Sequence, residues 1–108
     1  MNRVRVEVVE VKGKCAAGYK PGDTFIVDWF YLPPNQNVKI CLLHALNSML
    51  TLLMPFIKGT SAVTLGIGSR DDEGYFQCPD PGKPYTDGGT VVFKLKREPL
   101  QANVMSVA

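Results

Sequence analysis

The sequence predicts an α+β fold: a small, mainly antiparallel sheet packed against one long apolar helix. Three observations carry this expectation. Segments 3–12 and 90–97 alternate apolar with charged residues at a period of two. Segment 24–32 is dense in β-branched and aromatic side chains. Segment 38–57 is an almost unbroken apolar run of helical length.

In the first strand Val4, Val6 and Val8 share one face, with Arg3, Arg5 and Glu7 opposite. The phase then slips, since Val9 and Val11 are apolar while Glu10 and Lys12 are polar, and a bulge near Val8–Val9 is expected. Gly13 to Asp23 reads as loop, with Gly18, Pro21 and Gly22 as turn residues. Thr24 to Leu32 reads as a strand buried on both faces. Pro33-Pro34-Asn35-Gln36-Asn37 then breaks the chain, and Asn37 is placed to cap a helix running from about Val38 to Met54, with Pro55 and Gly59 at its exit.

Ser61 to Ile67 is a further strand candidate and Gly66 to Gly74 a polar loop. Tyr75 to Cys78 reads as a short strand stopped by Pro79-Asp80-Pro81-Gly82. Thr90 to Arg97 is a strand with Val91, Phe93 and Leu95 on one side and Lys94 and Lys96 on the other. It is expected to neighbour the first strand and to stop at Pro99. Residues 1–108 form a single domain in this reading, with 98–108 a C-terminal tail that carries no pattern.

Composition narrows the function classes. With 108 residues, a second core would leave each half too little apolar surface to bury. A hydrophobic fraction of 45% and a charged fraction of 20% are globular values, which excludes disorder. A net charge of +2 is too small to call for nucleic acid as a partner. Met1 to Glu7 alternates charge with valine instead of presenting an export signal's apolar run. Three cysteines at wide spacing do not pair evenly, so reduced thiols in a cytoplasmic protein are predicted. The 38–57 run is interrupted by Lys39, His44, Asn47, Ser48, Thr51 and Pro55, which argues against a membrane span.

On that helix His44, Asn47, Ser48 and Thr51 form one narrow polar stripe, and the remaining circumference is apolar. A small sheet covers one helix face only. The excess predicts a homo-oligomer, most simply a dimer, assembled through the 38–57 helix.

Cys41 and His44 lie three apart, so on one helix their side chains can meet. Cys15 falls in a glycine- and proline-bounded loop, and Cys78 ends a strand before a stiff turn. Together Cys15, Cys41, His44 and Cys78 could supply a Cys3His ligand set of the type zinc accepts. The same groups could run thiol redox chemistry, with Cys41 as nucleophile, His44 as base and a resolving third thiol. The plainer alternative is that each cysteine is a small core side chain, because spacings of 26 and 37 residues match no compact zinc motif. No cofactor is specified beyond that candidate zinc.

Other constellations fall away. Gly66-Ile67-Gly68 lacks the third glycine of a dinucleotide loop, and Asp71-Asp72-Glu73 reads as a solvated turn. Arg3, Arg5, Lys94 and Lys96 could share an outer face for an anionic ligand, but Glu7 and Glu10 dilute it and no aromatic row accompanies it. With one histidine, any triad would have to be built on His44.

The run Val-Val-Glu-Val-Lys-Gly-Lys-Cys (8–15) with Gly18-Tyr19-Lys20-Pro21-Gly22-Asp23, the helix-start Ile40-Cys41, and Cys78-Pro79-Asp80-Pro81 before the closing Val91–Arg97 strand resemble a small uncharacterised family of prokaryotic proteins about 100 residues long. The resemblance spans roughly Arg3 to Glu98 and is weakest from Gly59 to Phe76. It implies that Cys15, Cys41 and Cys78 occupy the family's cysteine positions, and that many members carry His where this chain has Tyr19. The sequence thus points to a cytoplasmic homo-oligomeric binding or interaction module. A thiol-dependent enzyme or redox protein and a structural zinc domain are the alternatives.

Overall fold

The computed structural model describes residues 1–100. Valine alternation makes β1 (Asn2–Gly13) the longest strand, and it pairs antiparallel with β2 (Thr24–Asp28) on one side and β4 (Gly89–Pro99) on the other. β3 (Glu73–Gln77) adds to β4, giving a four-stranded antiparallel sheet in the order β2-β1-β4-β3. The fold is α+β, and the first and last strands are neighbours as expected. The register slips between Val8 and Glu10, leaving Val9 as the extra residue of a bulge. Val4, Val6 and Val8 therefore face the core before the bulge, and Val11 packs against it afterwards.

The long apolar helix is corrected. The helical segment opens with a π turn at Leu42–Leu46, in which Leu46 N–H bonds to Cys41 O at 2.9 Å. It continues as α1 (Asn47–Ile57), so 16 residues are helical and Val38 to Cys41 lie outside. The cap position belongs to Cys41, with extended backbone (φ −71°, ψ 107°), and not to Asn37. The reason is tertiary: the Tyr19 hydroxyl donates to Lys39 O at 2.8 Å and accepts from Cys41 N–H at 2.7 Å. Those backbone groups are thus satisfied outside a helix.

Two strand expectations also change. β2 stops at Asp28, because Trp29 turns into a left-handed conformation (φ 55°) and Asp28 and Tyr31 exchange backbone hydrogen bonds of 2.8 and 2.9 Å. Ser61 to Ile67 forms stacked turns instead of a strand: the Ser61 hydroxyl accepts from Val63 N–H, and Leu65 N–H bonds back to Ser61 O. β3 begins at Glu73, inside the expected loop. β4 runs on through Pro99, so the tail does not start at 98, and 101–108 lie outside the described residues.

The core lies between the sheet and the helix. Phe25, Phe56, Phe93, Met49 and Leu95 are its largest fully buried side chains. The helix contributes Ala45, Leu46, Met49, Leu53, Phe56 and Ile57, while Leu42, Leu43, Leu50 and Met54 remain exposed. Among the described residues, no helix is long and apolar enough to cross a membrane.

Candidate functional site

Three glycines build the corner where the site forms. Gly13 ends β1 opposite Gly89, which starts β4. A Cβ on Gly89 would stand 2.5 Å from Lys14 N and 2.6 Å from Gly13 C, and a Cβ on Gly88 would run into the Asp80 carboxylate. Gly13 itself takes φ 81°, which only glycine adopts freely. This close backbone approach brings the loop after β1, bearing Cys15, against the segment after β3, bearing Cys78.

Tyr19 supplies the second brace. Its ring is buried edge-on against Phe93, with centroids 5.8 Å apart, and its hydroxyl fixes Lys39 and Cys41 as described. Cys41 is thereby set beside the Cys15 loop. With both hydrogen-bonding capacities used on backbone, Tyr19 acts here as a strut.

Cys15, Cys41, His44 and Cys78 all line one cavity of about 60 Å³, together with Asp80 and an apolar floor of Val91 and Phe93. By the same measure a water needs about 10–15 Å³, so the space admits a few water-sized groups and no large ligand. The four side chains arrive from a loop, a helix entry, a π turn and a strand end. Cys78 is buried, Cys15 and Cys41 are half-buried, and all three are free thiols. Cys78 Sγ lies 3.8 Å from His44 Nδ1, within hydrogen-bond reach for sulfur. The imidazole therefore touches Cys78. Cys41 and His44 line the same cavity, but not from one helix as expected, because Cys41 precedes the helical residues and the turn holding His44 is π-wound.

Burial pushes the Cys78 thiol above its ordinary 9.0, which keeps it protonated at neutral pH. The Thr86 hydroxyl and Gly82 N–H, both bonded to Asp80, hold its carboxyl below the ordinary carboxylate range. Asp80 is thus a fixed negative charge in a cavity of sulfur and imidazole. In the sequence Asp80 reads only as a turn residue, and its place two residues after Cys78, between two prolines, is the signal that marks it. Among the described residues, no three His, Cys, Asp or Glu side chains stand close enough to hold a metal ion as arranged.

The outer-face cations are spoken for. Arg3 pairs with Asp28 at 2.8 Å, Arg5 with Glu98 at 3.0 Å, Lys94 with Glu73 at 3.8 Å and Lys96 with Asp72 at 2.6 Å. A scan against protein-family models, and searches of curated proteins and of solved structures, find no match to this chain.

Proposed function

We propose that this chain is a small cytoplasmic binding module, working as a homo-oligomer, that engages its ligand through the thiols of the Cys15–Cys41–Cys78 cavity. One observation carries the reading: three sulfurs far apart in sequence, with His44 and Asp80, converge on a single small cavity. Two half-buried thiols give access and one buried thiol gives a soft, uncharged back wall. A binding role suits this arrangement better than turnover. The base at hand, His44, rests on the cysteine that burial holds protonated, whereas an activated nucleophile needs a depressed pKa. Coordination of zinc by the same set would need the donors to draw together. The reduced, odd complement of cysteines supports the cytoplasmic part of the reading.

Native-state alkylation of tag-free protein with iodoacetamide, mapped by mass spectrometry, tests it. Cys15 and Cys41 are expected to react in the folded chain, and Cys78 only on unfolding. Resistance of all three thiols in the native state, with full labelling in denaturant, would overturn the reading. One equivalent of co-purifying zinc that protects all three cysteines would replace it with a structural zinc site.

A further inference from the structure

The thiol cavity has a charged neighbour. An open cleft of about 600 Å³ is lined by Lys12, Lys14 and Lys83 with a single carboxylate, Asp87, over a glycine floor. Three stretches of chain serve both hollows: Lys14 lines the cleft and Cys15 the cavity, Pro81 the cleft and Asp80 the cavity, Gly88 the cleft and Gly89 the cavity. The two hollows therefore share one wall, and half-buried Cys15 directly follows Lys14 of the cleft lining. Three lysines against Asp87 and the Glu10 that reaches Lys12 leave an excess of one positive charge at the cleft (3 − 2 = 1). Lys12 leans on Glu10 at 3.5 Å, while Lys14 and Lys83 make no ion pair among the described residues. This contrasts with Lys94 and Lys96, which the outer face neutralises.

We infer that Cys15 takes an anionic low-molecular-weight disulfide, whose bulk the Lys12–Lys14–Lys83 cleft holds outside the small thiol cavity. The inference rests on the thiol reading above and adds the ligand's chemical class. In the step, the Cys15 thiol loses its proton to solvent and its sulfur attacks one sulfur of the disulfide. The new S–S bond forms as the old one breaks, and the departing thiolate takes up a proton. The ligand is the oxidant, so no other reagent is needed. Cys15 is the entry point because Cys78 is buried and because Cys15, unlike Cys41, directly follows a residue of the cleft lining, Lys14. The local positive potential raises the concentration of an anionic reagent and lowers that of a cationic one.

The test compares oxidised glutathione, an anionic disulfide, with cystamine, a cationic one, on the full folded chain. Each rate is divided by the rate of the same reagent with a small neutral thiol, and the modified residue is mapped by mass spectrometry. At low salt the anionic reagent is expected to modify Cys15 on the order of tenfold faster. The gap should shrink to about twofold in roughly 0.5 M salt, where the Debye length is short. It should invert in a Lys12→Glu/Lys14→Glu/Lys83→Glu variant, whose substitutions are all at exposed positions. Equal normalised rates at low salt, or a mixed disulfide formed at Cys41 first, would overturn the inference while iodoacetamide labelling still upheld the thiol reading. Inertness of the folded chain toward both disulfides and iodoacetamide would overturn both.

Discussion

Tyr19 is the residue on which the site's geometry turns. One hydroxyl joins the Cys15 loop to Lys39 and Cys41, and one ring locks that loop onto Phe93. Tyr19→Phe keeps the ring but removes the acceptor for Cys41 N–H and the donor to Lys39 O. A loss of about 1–2 kcal/mol in urea unfolding is expected. Burial also raises the Tyr19 pKa above its ordinary 10.0, as it raises Cys78 above 9.0. For both, the folded value exceeds the unfolded one. The folded state then holds more protons in that window, so the stabilisation is complete below pH 9 and is lost as pH rises through the raised folded values. Melting temperatures measured from about pH 8 to 11 should fall for the native chain and fall less steeply for Tyr19→Phe. An unchanged alkaline limb would contradict this account of Tyr19.

At the scale of elements, Arg97 fastens the helix to the sheet. Its side chain is 10% exposed, and Nη1 donates to Phe56 O in the last turn of α1 and to Thr60 O just beyond it, at 2.9 and 2.8 Å. The same guanidinium lies 4.9 Å over the Phe56 ring and pairs with Asp71. A cation at a helix C-terminus is also favoured by the dipole. Arg97→Ala should cost about 3 kcal/mol in denaturant unfolding, and Arg97→Lys should recover less than half, because an ammonium cannot form the planar fork. The free edge of β2 has its own cover: the Gln36 amide both donates to Ile26 O and accepts from Ile26 N–H, at 2.9 and 3.0 Å, standing in for a further strand. Helix and edge strand are thus held by single side chains whose partners are remote in sequence. For that reason the boundaries of 38–57 and 24–32 were less legible than those of β1 and β4, whose alternation is local.

At the scale of the molecule, apolar surface remains uncovered. Leu43 is 77% and Leu50 41% exposed on the helical segment, and Leu50 and Met54 continue into an apolar groove of about 230 Å³ with Val27, Trp29 and Phe30. Contiguous apolar patches of this kind mark interaction surfaces. The helical segment thus leaves apolar side chains in solvent even though it is shorter than expected. Light scattering at micromolar concentration should give a dimer for the native chain. A Leu43→Lys/Leu50→Lys variant should give a monomer with an unchanged circular dichroism spectrum. A monomeric native chain would remove the assembly from the proposal.

The sequence by itself determined the sheet's frame. A period of two puts Val4, Val6 and Val8 on one face of β1 and Val91, Phe93 and Leu95 on one face of β4, all of them buried, and the slip at Val9 marks the bulge, because such patterns act through neighbouring residues along one strand. It also named three thiols and one imidazole as the chemistry worth following. Only the tertiary structure decided that they share a cavity, that His44 meets Cys78, and that Asp80 and the lysine cleft adjoin them. Those relations depend on Tyr19 reaching Cys41 and on Gly13, Gly88 and Gly89 permitting close backbone contact. Both are distances between segments, which no local pattern records.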